Sequence, residues 1–306
     1  MRAVVFGYQE IGYVCLEELI SFGVHVSCLF SHEDDPSEEI WFRRPASIAR
    51  KHNIPVYTPD TLKDEKWTEI IRETTPDFIF SFYYRHMIPK RILDIPRIAA
   101  LNMHGSLLPK FRGRAPVNWV LVKGEKETGV TLHEMVEKPD AGDVVAQKKI
   151  TIDFEDDVST LYEKMTSAAR LLMKETLPKL AEGAFIRIPQ TGPSTYFGGR
   201  SPEDGLIDWR NDALSIYNLT RAVTHPYPGA FTRLHEKKLF VWKAYPEDEA
   251  GDGMPGTVFS SNPPRVAAGR GSLRLIRMQL EGEQEMNGEE FVSTHNIENE
   301  ILGGGA

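Results

Sequence analysis

The chain has 306 residues, a formal net charge of −8 and a pI near 5.7. That length predicts one or two domains, and 41% hydrophobic with 26% charged residues is ordinary for a soluble chain with a sizeable core. The acidic balance argues against a general nucleic-acid binder, which carries a basic face, and Cys15 and Cys28 sit in apolar runs without CxxC or Cys/His spacing, so neither a disulfide framework nor a metal site is expected.

Residues 2–6 read as a buried strand, Gln9–Ser21 as a helix and Val24–Phe30 as a second apolar strand. Ala46–His52 is helical, Pro55–Tyr57 a short strand and Lys63–Glu73 a helix. Asp77–Ser81 is apolar again and runs into the cluster Phe82-Tyr-Tyr-Arg-His86. Residues 98–103 read as a strand, and Pro116 suits the first position of a helix to about Val122. Thr128–Met135 and Asp143–Ile150 read as strands, and Asp157–Glu182 as a long amphipathic helix. Strands alternating with helices predict a parallel, doubly wound α/β sheet, complete by about residue 188.

Residues 189–204 are rich in Pro, Gly, Ser and Thr and predict a crossing linker. Beyond them lie a helix at Ala213–Val223 and short β-like runs at Ala230–Leu234, Leu239–Ala244, Gly256–Ser260, Val266–Ala268 and Leu273–Met278. That spacing suggests a small barrel over 205–306. The acidic stretches 247–252 and 281–290 read as solvated loops, and the tail Gly303-Gly-Gly-Ala306 as frayed. Met1-Arg-Ala-Val-Val-Phe6 enters a strand at once and lacks a signal-peptide core, so a cytoplasmic location is expected.

The chemistry gathers behind Ile98-Ala-Ala-Leu101. Alternate residues of a strand share a face, so Asn102 and His104 leave the C-terminal end together, where open α/β sheets bind ligands. An amide N–H there can meet a developing oxyanion, and an imidazole can exchange a proton near neutrality. Asp140, in Lys138-Pro-Asp-Ala-Gly142, is either an ordinary turn former or a carboxylate that raises the pKa of His104. Gly7-Tyr-Gln-Glu-Ile-Gly12 lacks the spacing of a dinucleotide fingerprint. Tyr83, Tyr84 and Arg85 either pack at a strand end or bind a nucleotide by stacking and phosphate pairing.

Asn102-x-His104, Ser106-Leu-Leu-Pro109, Gly113 and Asp140-Ala-Gly142 together resemble the 10-formyltetrahydrofolate-dependent formyltransferases. These include the glycinamide ribonucleotide, methionyl-tRNA and sugar-nucleotide enzymes. The resemblance implies a Rossmann-like catalytic domain at 1–188, a small OB-like β-barrel after it, and a catalytic trio of Asn102, His104 and Asp140. It also implies that Asn102 and a protonated His104 stabilise a tetrahedral oxyanion formed by attack of a neutral amine. Carried over by position, folate contacts fall on His86, Met87, Ile88, Arg114 and the run Val136, Glu137, Lys138, Pro139 and Asp140. Ser81–Ile88, Arg112–Trp119 and Gly129–His133 are similar to the formyltransferase part of the bifunctional polymyxin-resistance protein family, which formylates UDP-4-amino-4-deoxy-L-arabinose in lipid A modification. That family's NAD-dependent decarboxylase half is not in this chain, so such a partner is expected to be separate. Methionyl-tRNA formyltransferase is the alternative. The absence of a Gly-Thr-Pro after the first strand speaks against it, as do ten Lys/Arg facing sixteen Asp/Glu in 201–306. A catalytically silent folate- or nucleotide-binding module is a third reading, disfavoured by the intact trio.

Overall fold

The computed structural model describes residues 1–36 and 39–303. Residues 304–306, most of the tail expected to fray, lie outside the described residues. By internal contacts the chain divides into two compact units. The first holds Met1–Pro116, Glu127–Thr151 and Tyr162–Gly198. The second holds Val117–Lys126, Ile152–Leu161 and Gly199 onward.

Through residue 198 the elements run β1 (Arg2–Gly7), α1 (Gln9–Ser21), β2 (His25–Phe30), α2 (Pro45–Lys51), β3 (Val56–Tyr57), α3 (Glu65–Glu73) and β4 (Phe78–Phe82). Then follow α4 (Lys90–Leu93), β5 (Ala99–His104), β6 (Arg112–Gly113), α5 (Pro116–Val122), β7 (Glu127–Glu134), β8 (Val144–Thr151), α6 (Val158–Ala181) and β9 (Tyr196–Phe197). Seven strands form one sheet in the order β3-β2-β1-β4-β5-β7-β8. The first five are mutually parallel, and β7 and β8 run antiparallel at one side. This is the expected α/β fold with a mostly parallel, Rossmann-like sheet.

The local causes are plain. All residues of β1 after Arg2, and every residue of β4, are buried. Strands covered on both faces need such continuous apolar runs. Val4 and Phe6, with Cys28 and Phe30, put alternate side chains into one core cluster with Ile71, Ile79, Ile92 and Ala100. Burial of a side chain as large as Phe6 stabilises by roughly 1.5–3 kcal/mol. Helix α3 starts where the Asp64 carboxylate accepts from the Lys66 N–H at 3.0 Å, satisfying an orphan donor of the first turn.

The stretch expected to be a linker carries structure. Tyr196–Phe197 pairs in parallel with Arg112–Gly113, so residues 190–197 are strapped across the loop that follows β5. Two residues of strand have no readable periodicity, which is why composition alone marks this stretch as a linker.

In the second unit, after a short 3₁₀ turn at Pro202–Gly205, come α7 (Ala213–Val223), β10 (Ala230–Leu234), β11 (Lys237–Glu247), β12 (Val258–Ser261), β13 (Pro264–Ala267), β14 (Ser272–Leu280), β15 (Met286–Asn287) and α8 (Gly288–Thr294). They make a small antiparallel sheet in the order β10-β11-β14-β13-β12, with β15 paired to β14. Residues 281–290 depart from the expected solvated loop. Asn287 caps α8 by accepting from the Glu290 N–H at 2.9 Å, and the Glu290 side chain bonds back to the Asn287 N–H. Acidic residues in a first helical turn meet the positive end of the dipole. Glu247, at the start of the other acidic stretch, pairs with Arg265 and Arg274. No helix among the described residues is long and apolar enough to cross a membrane.

Candidate active site

The end of β5 brings Asn102 and His104 to the C-terminal edge of the parallel strands, and the register with β7 adds a third side chain. Asn102 lies opposite His133, and His104 opposite Thr131. Asp140 reaches the same place from the turn between β7 and β8, with a φ of 52°. Asp is one of the few residues that occupy this left-handed region readily.

Geometry fixes most of the hydrogens. The Nε2 of His104 is 2.8 Å from the Phe111 carbonyl, which can only accept, so Nε2 carries a hydrogen. Its Nδ1 stands 3.5 Å from Asp140 Oδ1. His133 Nδ1 is 2.7 Å from the Glu134 carbonyl and donates to it. His133 Nε2 can then accept from the Asn102 amide at 3.1 Å, and it also lies 3.5 Å from Asp140 Oδ1. The other oxygen, Asp140 Oδ2, accepts the Gly113 N–H at 2.8 Å. One amide N–H of Asn102 is thus committed to His133, and the second makes no hydrogen bond among the described residues.

The electrostatics oppose one another. His104 and His133 are almost wholly buried. Burial pushes the pKa of His104 down, the nearby Asp140 carboxylate pushes it up, and the net shift is down. Burial would raise Asp140, but His104, His133 and the Gly113 N–H outweigh it and hold the carboxyl down to about 2. Asp140 therefore acts on His104 in the expected direction and loses to desolvation. The direction of that shift favours a carboxylate beside a neutral imidazole at rest.

The loop from His104 to Gly113 is held by its own side chains. Ser106 Oγ donates to the Lys110 carbonyl at 2.6 Å, and Thr131 Oγ1 to the Ser106 carbonyl at 2.6 Å. Leu108 N–H returns a bond to Thr131 Oγ1 at 3.2 Å, and Gln147 donates to the Leu108 carbonyl at 2.8 Å. Gly105 has no room for a Cβ, which would strike Tyr83 Oη.

The remaining expected contacts divide. Ile88 is buried in the main cluster, with Tyr84 and Met135 packed against the same cluster, so its side chain serves the core. That cluster also joins the segment after β4 to the one after β7. Met87 and Val136 expose their apolar side chains on those two segments. His86, Glu137 and Lys138 are exposed, and Pro139 is half-buried. Ala141 N–H closes the turn onto the Lys138 carbonyl at 3.3 Å. Arg114 is exposed and its N–H bonds the Phe197 carbonyl.

Tyr84 departs from the nucleotide-stacking reading. Its ring stacks on His32 at 4.3 Å and meets Phe6 edge-on, and burial raises its hydroxyl pKa. Arg85 lies over the Tyr8 ring and its N–H bonds His32. His86 meets His32 edge-on. These residues form a cluster of their own, whereas Tyr83 turns its hydroxyl toward Gly105. The residue that sequence reasoning missed is His133. Its signals were an imidazole inside an apolar strand and its place in the Gly129–His133 stretch, and the β5–β7 register is what sets it opposite Asn102.

A family model described as formyl transferase matches residues 1–177, and one described as formyl transferase, C-terminal domain, matches residues 200–296. The chain belongs to the formyl transferase family. The second matched segment spans the whole antiparallel sheet. Among solved structures it is similar to HypX from Aquifex aeolicus in complex with tetrahydrofolic acid, at 22% identity and a TM-score of 0.64 over 95% of this chain. The chain spans about half the length of HypX, 47% of it. It is similar to the N-formyltransferase from Helicobacter canadensis in complex with folinic acid and dTDP-3-aminofucose, at 18% identity and a TM-score of 0.69 over 93% of this chain and 99% of that one. It is also similar to methionyl-tRNA formyltransferase from Clostridium thermocellum, at 19% identity and a TM-score of 0.55 over 80% and 93% of the two chains. At such identities the likeness is one of fold.

Proposed function

We propose that this formyltransferase moves the formyl group of 10-formyltetrahydrofolate to the amine of an amino-sugar nucleotide, with UDP-4-amino-4-deoxy-L-arabinose as the acceptor of choice. The observation that carries the reading is the Asn102–His133–Asp140–His104 constellation at the end of β5. The sugar N-formyltransferase among the similar folds supports the acceptor class, and so does the acidic 201–306 segment.

The residues fit a folate donor. A flat pterin needs apolar cover and backbone hydrogen bonds. Met87 and Val136 offer the first on adjoining segments, and backbone groups of the exposed residues 136–138 are suited to the second. Arg85, exposed beyond the Tyr8 ring, is suited to a phosphate of the acceptor, and Tyr83 to its sugar.

The donor supplies a formyl carbon already bonded to nitrogen, and the chain's residues do the rest. The free N–H of Asn102 receives the formyl oxygen as it becomes an oxyanion. His104, neutral at rest, takes the proton that the amine loses as the new C–N bond forms. The Phe111 carbonyl and Asp140 hold the resulting imidazolium on its two nitrogens. His104 then gives the proton to the departing folate nitrogen as the old C–N bond breaks, so charge and hydrogen balance. Because Asp140 starts ionised, the imidazolium forms beside a fixed counter-charge.

The acceptor is tested by parallel assays with UDP-4-amino-4-deoxy-L-arabinose, other amino-sugar nucleotides and charged initiator tRNA. Transfer to the UDP sugar should exceed transfer to tRNA by orders of magnitude. Preference for another amino-sugar nucleotide would revise the sugar, and preference for tRNA would replace the reading.

A further inference from the structure

We infer that Gln190 is a positioning residue of the formyl-transfer site, acting through the two loops that hold His104. This rests on the trio doing the chemistry proposed above.

Gln190 lies in the strap that sequence composition marks as a linker. Its Nε2 donates to the Asp140 carbonyl at 2.9 Å and to the Gly142 carbonyl at 2.7 Å. Its Oε1 accepts from Arg112 Nη2 at 2.6 Å and Nε at 3.2 Å. The amide's orientation is dictated by its partners, since a guanidinium only donates and a carbonyl only accepts. Both donors and both acceptor positions of one side chain are therefore used.

The partners lie on the two loops that flank His104. Arg112 is next to Phe111, whose carbonyl receives His104 Nε2, and next to Gly113, whose N–H fixes Asp140 Oδ2. The other two bonds grip the backbone of Asp140 itself and of Gly142. Gln190 thus ties the loop that holds one nitrogen of His104 to the turn that faces the other. Neither loop has the rigidity of a strand interior, and Phe111, Gly113 and Asp140 all have positive φ, at 57°, 100° and 52°.

The rest of the strap serves the same loop. Thr195 Oγ1 accepts the Phe111 N–H at 2.8 Å, and the Arg112 N–H bonds the Thr195 carbonyl at 2.9 Å. Phe197 stacks on Phe111 with centroids 5.1 Å apart. Gly113 must be glycine here, because a Cβ would strike the Phe197 carbonyl. Gln190 spans both loops, and a misplacement near 1 Å at a reacting centre costs about 10²-fold in rate.

Gln190→Met keeps the volume and charge and removes all four bonds. The expected result is kcat down by about 10²-fold, with KM for the formyl donor within about twofold of wild type. The His104 titration followed by NMR should move to lower pH as Asp140 draws away. Gln190→Glu is the second variant should the first fail to fold. It keeps the acceptor for Arg112 and loses both donations to the turn, and a fall in kcat with KM preserved is again expected. Unchanged kcat, or kcat and KM changing together with the His104 titration unmoved, would overturn the inference. The titration needs no substrate, so it decides Gln190 even where the wild type fails to formylate the proposed acceptor.

Discussion

Asp140→Asn keeps the shape of the side chain and removes its charge. Asp140 Oδ1 stands 3.5 Å from Nδ1 of His104. Two unit charges at that separation, in an effective dielectric near 20, attract by about 5 kcal/mol. That is the ceiling on what the carboxylate gives a protonated His104 during transfer, and water and neighbouring dipoles reduce it. A fall in kcat of about 10²–10³-fold is expected. Two pH effects accompany it. With His104 as the proposed base and its pKa pushed down by burial, activity should be lost only as pH falls through that lowered value. Without the upward push of Asp140, the acid limb should move further toward low pH. Asp140 itself has a folded-state pKa of about 2 against an ordinary 3.8. Its contribution to stability, about 2 kcal/mol by linkage, is present above pH ~3.8 and lost as pH falls toward ~2. The asparagine variant should lack this acid dependence. The assay is steady-state formyl transfer across pH, paired with chemical unfolding across the same range. A variant within tenfold of wild type, with an unmoved acid limb, would refute the electrostatic argument.

Asn102→Ala should lower kcat by about 10²–10³-fold through loss of one oxyanion donor, with donor affinity nearly unchanged in a binding titration. His133→Phe should weaken turnover in the same direction and by less, because the Asn102 amide loses the acceptor that orients it; identical kinetics to wild type would remove His133 from the site. Thr131→Val preserves volume but strips bonds from the Ser106 carbonyl and the Leu108 N–H. A destabilisation of about 1–3 kcal/mol is expected, read from chemical unfolding, together with faster hydrogen exchange at Leu108.

What was legible in the sequence was what local pattern determines. Continuous apolar runs such as Ala3–Phe6 and Phe78–Phe82 announce strands buried on both faces. Asn102 and His104 stood out as candidates because turn-formers follow β5 at once and alternate side chains share a face, whereas Asp140 joined them only through the resemblance to the formyltransferases. What stayed hidden depends on distant pairing or on burial. His133 becomes a site residue only through its register with Asn102. Gln190 and Tyr196–Phe197 sit in a stretch whose composition signals a linker, yet they bind the loop at 111–114. Ile88 and Tyr84 looked available for ligands and are drawn into the core by neighbours far along the chain. The direction of the His104 shift follows from near-complete burial, which spacing does not reveal. Residues 281–290 read as a solvated loop because a two-residue strand and the start of a seven-residue helix with its own cap have too little apolar periodicity to stand out.

In the proposed reaction the residues at the end of β5 convert an amine on a sugar nucleotide into a formamide. Mass spectrometry of UDP-4-amino-4-deoxy-L-arabinose after incubation with 10-formyltetrahydrofolate tests it most directly, run with wild type and with His104→Ala. Wild type should yield the formylated nucleotide, and the variant should leave the amine intact while binding the folate about as tightly. An unmodified acceptor with wild type, or equal conversion by His104→Ala, would contradict the account.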